Sequence, residues 1–178
     1  ITLAEKLGSQ IRNGKAPLEE IRAAMKVVFD VDKDQTMPFT VTPEFTEVFG
    51  EIPDIDDISY KVSNIDGLFE NLMLVKADAK NHGQDGQAGD ERLYCLDYEW
   101  VFDFPIPAKF LHYRNLLYFY RRYEGILKAG QEEIFSRFGI GPELQEIFAS
   151  MEEHFQSYVH GEGSFQYMKQ YEQETKTL

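Results

Sequence analysis

Apolar positions recur every third or fourth residue through much of this chain. Leu3, Leu7 and Ile11 stand four apart, which predicts a helix over residues 2–13. Pro17 sits where a first helical turn tolerates it, and Glu19 and Glu20 suit a helix N-terminus. With Leu18, Ile21, Met25 and Val28 on one stripe, a second helix is expected to about Phe29. Residues 30–43 are polar and broken by Pro38 and Pro43, and residues 44–49 fit either a short helix or a strand. A strong helical pattern returns at Ala108 and runs to about Tyr123, with Phe110, Tyr113, Leu117 and Tyr120 on one face. A short helix over 131–138 is closed by Gly139, and Pro142 opens another that carries Leu144, Ile147, Phe148, Met151 and Phe155. A last helix is expected over 164–173.

The centre has a different period. Leu72-Met73-Leu74-Val75 and Leu93-Tyr94-Cys95-Leu96 are short apolar runs, separated by a polar stretch that holds Gly83, Gly86 and Gly89. This predicts a β-hairpin with a long, mobile loop from Lys76 to Glu91. There is no internal repeat and no heptad run. The expected class is α+β, mostly helical, as one domain over 1–178: a helical and irregular lead-in to residue 60, the hairpin region over 61–107, and a helical part over 108–178.

Composition narrows the partners. Fourteen Phe and ten Tyr predict either a large aromatic core or an aromatic surface that something else covers. A net charge of -13 disfavours nucleic acid and anionic membrane as partners, because like charges repel. No apolar run is long enough to span a membrane. The lone Cys95 forms no internal disulfide, in keeping with a cytoplasmic location. The start, Ile1-Thr2-Leu3-Ala4-Glu5, lacks an initiator Met and a signal pattern, and reads as an internal cut in a longer protein.

The candidate chemistry lies around the hairpin. Asn64-Ile65-Asp66-Gly67-Leu68-Phe69-Glu70-Asn71 holds an Asp and an Asn five apart, entering the first apolar run, and the second run ends in Asp97-Tyr98-Glu99-Trp100. This order resembles the protein-kinase-like superfamily, the aminoglycoside and choline phosphotransferases more than the protein kinases. In that superfamily a His-x-Asp-x-x-x-x-Asn loop precedes a hairpin with a metal-binding Asp at its end. The resemblance implies a kinase-like C-lobe with Asp66 as the catalytic carboxylate and Asn71 and Asp97 as Mg²⁺ ligands. Phosphoryl transfer asks for those residue types: a carboxylate to orient the acceptor hydroxyl, and hard oxygens for the cation. The three residues are expected to converge at the base of the hairpin.

The sequence also departs from that pattern. Asn64 stands where the superfamily has His, and Asp97 is followed by Tyr98-Glu99 rather than Phe-Gly. Residues 1–60 show no Gly-rich phosphate loop and no strand Lys with a helix Glu. A second resemblance spans about Thr42 to Tyr123 and rests on Ser63-Asn64-Ile65-Asp66, Leu96-Asp97-Tyr98-Glu99-Trp100 and Val101-Phe102-Asp103-Phe104-Pro105-Ile106-Pro107. These look like a segment of large bacterial surface-polysaccharide proteins that carry glycosyltransferase or methyltransferase domains. Together they imply a non-catalytic or degenerate kinase-like module of a bacterial glycosyltransferase in polysaccharide biosynthesis. Its partners would be other domains of the same polypeptide, with a nucleotide or sugar as substrate. The alternative is the C-lobe of an active Mg²⁺-dependent small-molecule or glycan kinase whose N-lobe is absent from this chain.

Other motifs carry less. Asp30-x-Asp32-x-Asp34 matches the opening of a calcium loop, but Gln35 replaces the required Gly and Val41 the bidentate Glu. His82, His112, His154 and His160 show no ligand spacing. Glu99 and Asp103 lie near Asp97 and fit an acidic pair only by proximity in sequence. Arg114 and Arg121, seven apart with Arg122 beside them, fit either an anion contact or ion pairing within an acidic chain. Tyr113, Tyr120 and Tyr123 fit a core or interface, and Trp100 the anchor of the Pro-flanked turn that follows it.

Overall fold

The computed structural model describes residues 1–76 and 91–161, with the side chain of Lys76 outside that description. The expected mobile loop between the hairpin strands and the expected helix over 164–173 lie outside the described residues. What is described is mixed α+β: six α-helices and three small antiparallel ribbons. No described helix is long and apolar enough to cross a membrane.

Helix α1, Leu3–Arg12, starts on a capping box in which Thr2 Oγ1 accepts from Glu5 N–H and Glu5 Oε2 accepts from Thr2 N–H, at 3.2 and 3.0 Å. Helix α2, Pro17–Phe29, has Pro17 in its first turn and buries Ile21, Ala24 and Met25. Strand β1, Thr36–Pro38, follows. Helix α3, Pro43–Phe49, resolves the ambiguous stretch: Thr42 caps it by accepting from Phe45 N–H, and Pro43 opens it. It stops at Gly50, whose φ of 79° is left-handed and where an added Cβ would lie 2.8 Å from the His154 ring.

Strands β2 (Ile58–Tyr60) and β3 (Ser63–Asn64) then lead to the hairpin of β4, Leu72–Lys76, and β5, Glu91–Cys95. Its register pairs Leu72 with Cys95 and Leu74 with Leu93, so the two apolar runs meet as expected. Strand β6, Val101–Phe102, returns to pair with β3, setting Asn64 opposite Val101, while β1 pairs with β2.

Helix α4, Ala108–Leu127, is the centre of the molecule and packs on α1, on α5 (Gln131–Arg137) and on α6 (Pro142–His160). It runs past the expected end at Tyr123 because Leu127 is still buried, and it stops where Lys128 turns left-handed at φ 56°. The described Phe residues lie in the core or pack against it: Phe49 is centred 5.2 Å from Phe45, 5.4 Å from Phe110 and 5.7 Å from Phe155, joining α3, α4 and α6.

Candidate functional site

The stretch 64–71 is a loop between two ribbons, and its position is dictated from both sides. The β3–β6 pairing brings it against Trp100, where Ile65 N–H donates to Trp100 O at 3.0 Å. The β4–β5 hairpin brings it against residues 95–97, where Leu96 N–H donates to Asn71 O at 2.8 Å. Two ribbons of so few residues thus place Asp66, Asn71 and the Asp97 segment in one neighbourhood.

Within it, Asp66 and Asn71 have defined partners. Asp66 Oδ2 accepts from the backbone N–H of Trp100 at 2.9 Å. Asn71 Nδ2 donates to the backbone carbonyl of Asp66 at 2.9 Å, closing the 66–71 stretch on itself. Asn64, which stands where the kinase-like pattern has His, accepts from Asp66 N–H at 2.9 Å through Oδ1 and donates to Cys95 Sγ at 3.3 Å through Nδ2. Cys95 Sγ in turn donates to the carbonyl of Asp97 at 2.7 Å. Asn64 and Cys95 therefore tie the loop to the end of β5, a link that spacing alone does not reveal.

Helix α4 holds the loop from below. Asn115 is 3% exposed; its Oδ1 accepts from Phe69 N–H at 2.8 Å and its Nδ2 donates to Gly67 O at 3.2 Å. Arg114 Nη1 donates to Ile65 O, and Arg114 Nε donates to Glu152 Oε2 at 2.7 Å. Glu152 also accepts from Tyr118 Oη at 2.8 Å and from Gln156 Nε2 at 2.9 Å. Burial by itself would raise the Glu152 carboxyl; Arg114, Tyr118 and Gln156 outweigh it and hold the carboxyl below its usual range. The Arg114 face thus belongs to an interior ion pair. Arg122 pairs with Glu70 at 3.4 Å, and the Arg121 guanidinium lies 5.7 Å from the Tyr118 ring centre.

The other residues singled out in the sequence fall on either side of this loop. Trp100 packs edge-on to Phe155 and Tyr158, with ring centres 6.0 and 5.8 Å away. Tyr113 and Tyr123 are core residues, and burial, more than Glu152, pushes the Tyr113 hydroxyl up to about 12. Asp30, Asp32 and Asp34 are exposed around a 3₁₀ turn at Lys33–Gln35. Among the described residues, no three His, Cys, Asp or Glu side chains are gathered as a metal set.

The donor types near the loop suit Mg²⁺, which takes carboxylate and amide oxygens. The atoms to hold it would be Asp66 Oδ1, Asn71 Oδ1 and the Asp97 carboxylate, none of which bonds to a described residue. No family model, curated protein or solved structure matches this chain.

Proposed function

We propose that this chain is a kinase-C-lobe-like module that transfers no phosphoryl group by itself. It would act in the cytoplasm as a scaffold within a bacterial glycosyltransferase of cell-surface polysaccharide biosynthesis. The observation that carries the non-catalytic part is the engagement of the two loop residues. Asp66 caps Trp100 N–H and Asn71 caps Asp66 O, so both side chains do structural work that fixes the crossing of the two ribbons. A scaffold also explains the exposed apolar groups beside this crossing: Leu96 is 56% exposed and Tyr98 69%, which gives a neighbouring domain of the same polypeptide something to cover. The glycosyltransferase setting rests on the resemblance over Thr42 to Tyr123 alone.

A second reading, the C-lobe of an active Mg²⁺-dependent kinase, is favoured by one observation. The same hydrogen bonds leave Asp66 Oδ1 and Asn71 Oδ1 uncommitted, and the backbone of Asn71 is bonded to Leu96, the residue before Asp97. Calorimetric titration of ATP with and without Mg²⁺, beside a turnover assay, separates the two. The module reading expects no turnover, and any nucleotide binding to be weak and Mg²⁺-dependent, since a chain of net charge -13 repels the free nucleotide. Turnover that Asp66→Ala abolishes would establish the kinase reading instead. Micromolar binding that survives EDTA would mean that the nucleotide site lies elsewhere.

A further inference from the structure

Arg22, Lys26 and Arg137 line one open cleft between α2, α4 and α5, and none of them has an ion pair among the described residues. In a chain of net charge -13 that holds 31 Asp and Glu, three unpaired cations in one place are an anomaly. Arg22 and Lys26 stand four apart on α2, neighbours on one helix face, where like charges repel. Arg137 closes α5 on the same cleft. The helix dipole favours Lys26 and Arg137 in the last turns of their helices, but Arg22 lies outside a last turn, and the dipole does not ask for three cations around one hollow. Asp30 is the one carboxylate among the described lining residues, and it pairs with none of the three. Three cations against one carboxylate leave the wall two charges positive.

Between the cations the surface is apolar. It is formed by buried Met25 and by the half-buried Phe29 and Phe138 rings. The Arg22 guanidinium lies 5.8 Å from the centre of the Phe138 ring, and the His112 ring lies 4.4 Å from Phe29. Burial, then Lys109, pulls His112 down to about 4, so at neutral pH it adds a ring and no charge. The cleft holds about 470 Å³, within the size range of small-molecule sites. Two guanidinium groups and an ammonium suit an oxyanion, and a wall with two excess positive charges suits a dianion. The rings give purchase to a planar apolar body, which a bare ion lacks.

We propose that this cleft binds a small aromatic phosphate monoester, with the phosphate held by Arg22, Lys26 and Arg137 and the ring against Phe29 and Phe138. The site does not depend on the module reading: Asp66, Asn71 and Asp97 do not line the cleft, and no metal is needed.

The test is fluorine NMR titration of the chain with 4-fluorophenyl phosphate in EDTA at about pH 7.5, where a phosphate monoester is close to dianionic. It should bind saturably, and at least about fivefold tighter than 4-fluorophenol or than competing inorganic phosphate, since each lacks one half of the recognition. Arg22→Gln and Arg137→Gln should each weaken it by at least about fivefold, the worth of one hydrogen bond, and Asp30→Asn should tighten it. Lys15→Gln, which removes an exposed cation away from the cleft, should leave the affinity within about twofold. The four altered side chains are exposed, so thermal melts should match the wild type. Absence of saturable binding, affinity unchanged in Arg22→Gln and Arg137→Gln, an equal loss in Lys15→Gln, or inorganic phosphate binding as tightly as the ester would each overturn the proposal.

Discussion

Removing one partner of the buried Arg114–Glu152 pair should be among the most damaging single changes in this chain. The pair is 3% and 4% exposed, and it joins α4 to α6 directly and to the Asp66 loop through Ile65 O. Glu152→Leu leaves a guanidinium in the core with one carbonyl and the Tyr118 and Phe155 rings as its remaining partners, and takes the carboxylate acceptor away from Tyr118 Oη and Gln156 Nε2. Breaking a buried pair from one side costs about 3–5 kcal/mol, a large part of the about 5–15 kcal/mol that holds an ordinary domain. Arg114→Met should cost about the same, by leaving the carboxylate unpaired. The double change Arg114→Met with Glu152→Leu should cost far less than the two singles added, because it removes both charges and keeps side-chain volume. Urea denaturation of the four proteins gives the cycle. Single changes that each cost under about 1 kcal/mol, or costs that simply add, would refute the claim that these groups depend on one another.

The same network and one histidine predict two separate acid transitions. Burial, then Lys109, pulls His112 down to about 4 from its usual 6.5, so the unfolded chain takes up a proton before the folded one does. Stability from His112 is therefore complete above about 6.5 and declines as pH falls toward 4; His112→Gln should flatten that slope in denaturation midpoints. The Glu152 contribution is present above the usual carboxyl value of 4.5 and is lost below it as pH falls through the depressed folded value, so Glu152→Gln should lower stability at neutral pH and remove that decline below 4.5. Gly8→Ala should destabilise despite the better helix former, by about 1–3 kcal/mol in thermal melts, because the new Cβ would lie 2.4 Å from Tyr123 Cε1 between α1 and α4.

The parts of the fold legible from residues alone are those with a period and a punctuation mark. Helices α1, α2 and α6 announce themselves through apolar spacing, with Pro17 and Pro142 opening two of them, and Gly139 marks the end of α5. Helix α3 had the same marks, Thr42 as cap with Pro43 after it, but its seven residues are too few for a period to decide. Strands β3 and β6, of two residues each, carry no alternation at all, and the contact of Asp66 with Trp100 depends on them. The hairpin was readable, and it places Asn71 against Leu96. The partner of Arg114 was not named, yet there was a signal: Glu152 stands four after Phe148 and three before Phe155, on the buried stripe of α6. A carboxylate on such a stripe needs a cation, and Arg114 is its buried counterpart on α4.

Asp66 Oδ2 caps the Trp100 backbone N–H, and the proposed module role asks nothing more of it. Amide hydrogen exchange at Trp100 tests this at the atom concerned, in the wild type and in Asp66→Ala, with and without Mg²⁺. The Trp100 N–H should be protected, should exchange at least about tenfold faster in Asp66→Ala, the loss expected for one hydrogen bond to a charged acceptor, and should keep its wild-type rate when Mg²⁺ is added. Exchange at the same rate in both proteins, or a wild-type rate that shifts on adding Mg²⁺, would contradict that role.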